Sequence, residues 1–245
     1  MVTPTPDARL AVLIDADNAS AQHLEPLLVE IAKYGAATVR RAYGDWTSTH
    51  LGKWKAELLA HSVQPVQQFS YTTGKNSTDS ALIIDAMDLL HAGTVDGFCL
   101  VSSDSDFTRL AARIREQGLQ AYGFGERKTP KPFVAACNMF IYVENLVAPP
   151  EAPEVPGVAA TKVPAMPHKL LAEAVDTAAG DDGWAHLGAV GSNLSRLASD
   201  FDSRTWGHAK LVDLFRANPR FEVESRATGE GKSPNAFVRR KVSRS

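Results

Sequence analysis

Residues 10–18 read LAVLIDADN, in which five apolar residues are followed directly by the sequence Asp-Ala-Asp-Asn. A continuous apolar run of this length predicts a β-strand that is buried on both faces. Residues 98–106 repeat the arrangement as FCLVSSDSD. Strands of this kind belong to parallel sheets that are covered by helices on both sides, so the two segments predict an α/β fold.

The rest of the first 147 residues alternates between helical and strand patterns. Helices are predicted near residues 24–31, 49–61, 77–91 and 107–117, and further strands near residues 37–43, 63–68, 120–124 and 139–143. Strands that are separated by helices imply right-handed crossovers and therefore a parallel sheet. Residues 1–147 are expected to form one α/β domain.

A linker and a second, smaller domain are predicted after it. Six prolines fall within residues 148–167, a composition that favours an extended, semi-rigid spacer. Helical patterns follow at residues 169–179, 187–198 and 209–217, and short strand patterns at residues 221–224 and 236–242. Three helices and a hairpin predict a winged helix-turn-helix domain over residues 168–245, with its wing at Gly229 and Gly231.

Composition excludes several classes of protein. No apolar run approaches the roughly 20 residues needed to cross a bilayer, and the first nine residues lack the pattern of a secretory signal. The two cysteines, Cys99 and Cys137, lie in apolar stretches, which favours reduced thiols and a cytoplasmic location. They are too few for a zinc site of their own.

Charge is distributed unevenly along the chain. The formal net charge is −2, yet ten basic and four acidic residues lie between Arg204 and the C-terminus, about +6 for that segment. Such a segment is a candidate surface for RNA phosphates. A solvated basic tail is an equally good interpretation of the charge alone.

Acidic residues follow the two apolar strands at the point where each strand ends. Asp15 ends the first strand, and Asp104 and Asp106 follow the later one. Because ligands bind outside the carboxyl ends of the strands in open α/β sheets, these acids are expected to share a pocket with Asp79, in the first turn of a predicted helix. Clustered carboxylates repel one another unless a cation neutralises them, and Mg²⁺ or Mn²⁺ is the natural partner.

Each acid has a structural alternative. An acid or amide at a strand end is more often a helix N-cap than a metal ligand, and Asp17, Asn18 and Ser105 are candidates for that role. Asp85 lies six residues after Asp79, about 240° around a helix, so both side chains cannot face one ion. Only the combination of two strand-end clusters with a helix-start acid favours a metal site over caps.

Three segments resemble the motifs of NYN domains, which belong to the PIN-like nuclease superfamily and include the LabA-like proteins. They are IDADN at residues 14–18, KNSTDSALIIDAMDLL at residues 75–90 and SSDSDFTRL at residues 102–110. The resemblance implies a Mg²⁺- or Mn²⁺-dependent ribonuclease with a catalytic and metal-binding acidic set, Asp15, Asp79, Asp104 and Asp106, and with Asn18 as a supporting polar ligand. Ser103 departs from the family pattern, in which many relatives have glycine, but this removes no carboxylate.

The C-terminal region resembles the OST-HTH or LOTUS module. The resemblance rests on HKLLAEAVDTA at residues 168–178, WAHLGAVGSNL at residues 184–194 and GHAKLVDLFRANPRFEVE at residues 207–224. It implies RNA binding and, in some relatives, a protein partner such as an RNA helicase.

The predicted function is therefore metal-assisted hydrolysis of RNA, with single-stranded RNA as the expected partner because proteins read RNA largely through splayed, stacked bases. The candidate RNA contacts are basic: Arg41, Lys75, Arg127, Lys128, Lys210, Arg239 and Arg240. Tyr43 and Trp46 are candidates for stacking on bases, although core packing is the favoured interpretation of both.

Other functions stay open at this point. One is a non-catalytic RNA-binding adaptor that retains the nuclease fold. A phosphatase or nucleotide-binding enzyme is another, but the sequence has neither a nucleophilic aspartate signature nor a phosphate-binding loop. The acids do not distinguish RNA from DNA, and the oligomeric state is left open.

Overall fold

In a computed structural model, the chain divides into two compact units, one ending at Pro149 and the other beginning at Pro150. The structure describes residues 7–69, 77–146, 164–226 and 234–241. Most of the predicted linker, residues 148–167, lies outside the described residues, and the predicted domain limits stay a prediction.

The first unit is built on a six-stranded parallel sheet. Its strands are β1 (Arg9–Asp15), β2 (Ala36–Gly44), β3 (Gln64–Gln67), β4 (Gly97–Val101), β5 (Gln120–Gly125) and β6 (Met139–Tyr142). They lie in the order β3-β2-β1-β4-β5-β6, with Ile14 of β1 opposite Val101 of β4. The strand order reverses between β1 and β4, so a crevice opens there at the carboxyl ends of the strands.

Helices connect these strands and cover the sheet. They are α1 (Leu24–Ile31), α2 (Trp54–Ala60), α3 (Ser77–Ala92), α4 (Thr108–Glu116) and α5 (Lys131–Ala136), and short 3₁₀ turns precede α1, α2 and α4. The single helix predicted near residues 49–61 is thus a 3₁₀ turn followed by α2. The sequence analysis missed α5, which is only six residues long and has a proline in its first turn, where proline is tolerated.

Alternate residues of β1 enter two different cores, one on each face of the sheet. Val12 and Ile14 pack with Leu24 of α1 and Trp54 of α2. Ala11 and Leu13 pack on the other face with residues of α3, α4 and α5, including Leu82. All of β1 from Leu10 to Asp15 is buried, which confirms the prediction of a central strand covered on both sides.

The second unit combines three helices with a small sheet. The helices are α6 (His168–Ala178), α7 (Leu187–Leu197) and α8 (Leu211–Ala217), and the strands are β7 (Ala185–His186), β8 (Phe221–Arg226) and β9 (Asn235–Arg240). The sheet is antiparallel in the order β7-β9-β8, and Leu194, Phe215 and Val238 are fully buried in the core. The predicted helices and hairpin are present, while Gly229 and Gly231 of the predicted wing lie outside the described residues.

The cysteines and the helix lengths of the structure bear on the predicted class of protein. Cys99 and Cys137 are buried free thiols. Among the described residues, no helix has both the length and the apolar character required to cross a bilayer.

Close packing of β5 against β6 yields a testable prediction. A Cβ atom added at Gly123 would lie 2.4 Å from Cδ2 of Phe140 and 2.7 Å from Sγ of Cys137, and both side chains are buried. We expect Gly123→Ala to lower the free energy of unfolding of the first unit by about 1–3 kcal/mol, the usual cost of overpacking. The measurement is urea unfolding monitored by circular dichroism. Gly52→Ala is the matched control, because its Cβ would meet no atom within 4 Å; equal midpoints for the two variants would contradict the close packing.

Candidate active site

Three carboxylates meet at the carboxyl edge of the sheet. Asp79 lies in the first turn of α3, and Asp104 and Asp106 lie in the turn between β4 and α4. One oxygen atom from each residue lies within 4.8 Å of those of the other two. Three of the four predicted acids are therefore brought together, and this is the only such group of potential metal ligands within the described part of the chain.

Asp15, the fourth predicted acid, is held differently. It is fully buried at the end of β1, and both of its carboxylate oxygens accept hydrogen bonds. Nδ2 of Asn18 donates to Oδ2 at 2.9 Å, and the backbone N–H of Asn18 donates to Oδ1 at 3.3 Å. Asn18 therefore holds Asp15, and a direct bond from Asp15 to a metal stays a prediction.

Ser102 connects the two strand ends that carry the acids. Its hydroxyl donates to Oδ2 of Asp15 at 2.7 Å and accepts the backbone N–H of Asp104 at 3.0 Å. Oδ1 of Asp104 in turn accepts the N–H of Asp106 at 2.9 Å, which caps the 3₁₀ turn before α4. Sequence reasoning missed Ser102, although a serine placed directly after a buried strand and before the acids was a usable signal.

Asp17 is a fifth carboxylate near this group. Its Oδ2 atom accepts the hydroxyl of Thr78 at 2.9 Å, so it joins the loop after β1 to the first turn of α3. The sequence analysis considered Asp17 only as a helix cap. Its charge acts on Asp79, the residue that follows Thr78.

The acids perturb one another strongly. Burial, followed by repulsion from Asp15, Asp104, Asp106 and Asp17, raises the pKa of Asp79 to about 6. Burial also raises the pKa of Asp15, against the opposing effect of hydrogen bonds from Ser102 and Asn18. No salt bridge to a basic side chain of the described residues offsets the charge of Asp79 or Asp15. Closely spaced carboxylate oxygens of this kind fit a hard divalent cation.

Asp85 serves a different purpose from Asp79. It forms a 2.6 Å ion pair with Arg41 and accepts a hydrogen bond from the hydroxyl of Tyr43. This confirms that Asp79 and Asp85 do not face one site. Arg41, predicted to contact RNA, is thus occupied by Asp85, and Tyr43 is fully buried, as the core-packing interpretation requires. Burial and Asp85 hold the pKa of Tyr43 well above its ordinary value.

Two of the other basic residues predicted near the pocket, Arg127 and Lys128, also have partners. Arg127 donates to the side chain of Asn145 at 2.7 Å and lies over the ring of Tyr142. Lys128 lies 2.9 Å from Glu126. Lys75 lies outside the described residues. Whether any of the three contacts RNA stays a prediction.

In the second unit, ion pairs engage several basic side chains of the predicted phosphate-facing segment. Residues 168–245 contain twelve basic and ten acidic side chains. Three acids that precede Arg204 in the chain form ion pairs with arginines between Arg204 and the C-terminus. These pairs are Asp202 with Arg204, Asp182 with Arg226 and Asp176 with Arg240. Arg239 similarly pairs with Glu222 at 2.8 Å, whereas Lys210 is exposed at the start of α8.

An aromatic surface accompanies these ion pairs on the small sheet. The guanidinium groups of Arg226 and Arg239 lie 5.0 Å and 4.5 Å from the ring centre of Trp184. Arg226 also lies 4.6 Å from the ring centre of Phe237, which makes an edge contact with His186. We call Trp184, Phe237, Arg226 and Arg239 the stacking surface. Sequence reasoning missed it, because its members are far apart in the chain.

Comparison with protein families identifies both units. A family model described as NYN domain matches residues 9–144. A second model, described as OST-HTH/LOTUS domain, matches residues 160–233. The parallel α/β sheet of the first unit agrees with the PIN-like fold of the first family, and the second unit supplies the additional domain.

Similar solved structures exist for parts of the chain. The crystal structure of a protein of unknown function from Vibrio parahaemolyticus is 17% identical, covers 55% of this chain and 91% of that chain, and has a TM-score of 0.47. An NMR structure of an uncharacterized protein from Nitrosomonas europaea is 31% identical over 40% of this chain and 96% of that chain, with a TM-score of 0.32. A protein from Chromobacterium violaceum is 29% identical over 32% and 84%, with a TM-score of 0.27. No curated protein matches the chain significantly.

Repulsion within the acidic group predicts a pH-dependent effect of one substitution. Because the pKa of Asp79 rises from 3.8 to about 6 on folding, the native state binds a proton that the unfolded state releases between these values, and stability falls as pH rises through that window. Asp79→Asn is therefore expected to raise the melting temperature of the protein in EDTA at pH 8, and to raise it by about half as much at pH 5, which lies inside that window.

Thermal melts of the wild type and the variant at both pH values test this. Asp88→Asn is the control, since Asp88 is an exposed acid of the same helix. The electrostatic account is wrong if Asp79→Asn is no more stable than the wild type at pH 8, or if its gain is the same at both pH values.

Proposed function

Because this chain belongs to the NYN domain family and carries an OST-HTH/LOTUS domain after it, we propose that it is a metal-dependent ribonuclease that hydrolyses RNA phosphodiester bonds. Both domain types are associated with RNA, and PIN-like nuclease domains typically use divalent metals. The observation that carries the proposal is the group formed by Asp79, Asp104 and Asp106, whose oxygens converge within 4.8 Å.

The carboxylates of Asp79, Asp104 and Asp106 would hold a Mg²⁺ or Mn²⁺ ion, and Asp15 adds negative charge behind them. When bound, such an ion supplies charge to polarise the scissile phosphate and favours hydroxide over water. Mg²⁺ commonly uses only one or two carboxylates together with waters and substrate phosphates, so three converging acids are a sufficient protein contribution.

The chain's own residues position this chemistry. Ser102 and Asn18 fix the carboxylate of Asp15, and Ser102 also holds the backbone that bears Asp104. Asp79 or Asp106 would orient the attacking water and accept its proton. In the absence of a cation, the same acids repel the phosphates of RNA, so cleavage should depend strictly on the metal.

We propose that the second unit binds single-stranded RNA through bases more than through phosphates. Its basic and acidic residues nearly balance, and Arg239 and Arg240 are ion-paired within the unit. Trp184 and Phe237 offer rings on which splayed bases stack, and stacking on aromatic and guanidinium planes is a common mode of single-strand recognition.

The two buried free thiols of the first unit favour a reducing compartment such as the cytoplasm.

Removal of one carboxylate tests catalysis. We expect Asp104→Asn to lower cleavage of labelled single-stranded RNA in Mn²⁺ by at least about 100-fold, the scale of charge-stabilising and proton-transfer contributions. The fold should persist, because an asparagine oxygen can still cap the 3₁₀ turn. Asp88→Asn should cleave like the wild type, and EDTA should stop both.

A binding measurement accompanies this assay. If Mn²⁺ binds only the native state, a free Mn²⁺ concentration of one hundred times the Kd raises the free energy of unfolding by about 2.7 kcal/mol. We expect Asp104→Asn to reduce this stabilisation. Cleavage of RNA by Asp104→Asn at the rate of the wild type would contradict the assignment of the metal site. Unchanged melting temperatures in millimolar Mn²⁺, together with no cleavage by the wild type, would favour a non-catalytic RNA-binding adaptor.

The stacking surface predicts a change in affinity that is separate from cleavage. Trp184→Ala should weaken binding of the full chain to fluorescent single-stranded RNA in EDTA by about 1–3 kcal/mol, the contribution of stacking one base. The slope of log K against log salt should stay unchanged, because no charge is removed. Leu197→Ala, at an exposed apolar residue of the same unit, is the control. If Trp184→Ala and the wild type bind the RNA with equal affinity in an anisotropy titration, the stacking surface does not bind RNA, and a protein becomes the favoured partner of this domain.

A further inference from the structure

The end of β1 and the loop that follows it contact both of the elements that supply the converging acids. Asp15 accepts the hydroxyl of Ser102 at 2.7 Å, and Ser102 in turn holds the backbone of Asp104. Asp17, two residues after Asp15, accepts the hydroxyl of Thr78 at 2.9 Å. This part of the chain therefore joins the turn after β4 to the start of α3.

The backbone that carries Asp17 is well fixed. The N–H of Ala16, the residue before it, donates to the carbonyl of Tyr43 at 2.9 Å, so the pairing with β2 continues past the end of β1. The carboxylate lies close to Gly44, where an added Cβ atom would be 3.3 Å from Oδ1 of Asp17. Asp17 is thus a well-placed hydrogen-bond acceptor, although the residue is exposed.

Thr78 directs its hydroxyl away from its own helix. A threonine hydroxyl within a helix commonly donates to a carbonyl of the preceding turn. Thr78 is the second residue of α3, and its hydroxyl donates instead to Asp17, 61 residues away in the chain. Thr78 is buried and is followed directly by Asp79. The hydrogen bond at Thr78 therefore restrains the backbone that carries Asp79.

This restraint bears on how the acids can share an ion. Oxygens of Asp79, Asp104 and Asp106 lie within 4.8 Å of one another, although the first comes from a helix and the other two from the turn after β4. Like charges repel, so without a cation the repulsion favours displacement of the first turn of α3 from the other acids. A contact that opposes this displacement keeps the three carboxylates at a spacing that suits one ion.

We propose that Asp17 and Thr78 are positioning residues, which hold Asp79 at the distance from the other two converging acids that tight binding of one divalent cation requires. The proposal rests on the proposed function, because it concerns the metal site of the same ribonuclease. Neither residue bonds to the ion in this assignment. Partners that orient the groups around a metal commonly contribute about 10- to 100-fold to its affinity.

Substitution of Thr78 tests the hydrogen bond without any change of charge. Thr78→Val keeps the shape of the side chain and removes the hydroxyl, whereas Thr78→Ser keeps the hydroxyl. In calorimetric titration of the full chain with Mn²⁺, we expect Thr78→Val to raise the Kd by about tenfold, and Thr78→Ser to bind like the wild type. Thr38→Val is the control, because Thr38 loses a similar contact, to the carbonyl of Leu10 near the start of β1, and should bind Mn²⁺ normally.

A double substitution separates the position of Asp79 from the charge of Asp17. That charge acts on Asp79, so Asp17→Ala removes both a negative charge near the site and the acceptor for Thr78. If the hydrogen bond links the two residues, Thr78→Val has no further effect once residue 17 is alanine. We therefore expect the variant with both substitutions to have the same Kd for Mn²⁺ as Asp17→Ala.

Cleavage supplies a signature that a general loss of folded protein would not produce. Thr78→Val should need about ten times more Mn²⁺ for half of its maximal rate. Its rate should recover at saturating Mn²⁺, and its KM for single-stranded RNA should match that of the wild type. A purely structural defect would instead lower the rate at every Mn²⁺ concentration, and would overturn the positioning role.

The outcomes separate this proposal from the proposed function. Wild-type affinity for Mn²⁺ in Thr78→Val, equal losses in Thr78→Val and Thr78→Ser, or a further loss when Thr78→Val is added to Asp17→Ala would each overturn the positioning role. Cleavage of RNA by the wild type would then leave the ribonuclease standing. Weaker Mn²⁺ binding by Thr78→Val, in a protein whose wild type cleaves no RNA, would support the positioning role and overturn the ribonuclease. A wild type that does not bind Mn²⁺ would overturn both.

Discussion

Electrostatic repulsion among carboxylates at one edge of the sheet is the constraint on which the site depends. Asp15 is fully buried, and Asp79 feels the charges of four other acids. Such an arrangement lowers stability, so other contacts must hold the backbone around it in place. The pairing of β1 with β4 supplies that rigidity, because it continues up to Ile14 and Val101, the residues next to the acids. The hydroxyl of Ser102 then binds both sides of the crevice, at Asp15 and at the backbone of Asp104.

Asp79 comes from a helix, so its position depends on how α3 is fixed to the sheet. Two polar contacts do this on opposite sides of the acids. Thr78 donates to Asp17 at the start of the helix, and Asp85 binds Arg41 and Tyr43 of β2 further along it. The basic side chain nearest to the helix in this network is therefore used to neutralise Asp85. Because Arg41 is committed to that pair, it does not neutralise Asp79.

The elements that depend on local pattern could be predicted from the sequence, and those that depend on distant contacts could not. The apolar runs before Asp15 and Asp104 predicted the two central strands and brought their acids to one edge, since strand ends in a parallel sheet share a side. The separate role of Asp15 was not predictable, because it requires knowing that Ser102 lies beside it. The share of the basic excess after Arg204 that is already ion-paired was not predictable for the same reason: Asp176 and Asp182, far earlier in the chain, pair with two of its arginines.

Charge also limits how RNA can be held. Residues 1–147 contain sixteen acidic and thirteen basic side chains, and the second domain is nearly balanced. A net charge near zero in each part gives little long-range attraction for phosphates, and the acids at the sheet edge oppose an anion that approaches them without a cation. In the proposed function, the rings of Trp184 and Phe237 supply the complementary surface, since they can stack on bases. Bases are accessible to such rings only when they are unpaired, so the charge balance of the chain supports the proposal of single-stranded RNA over duplex.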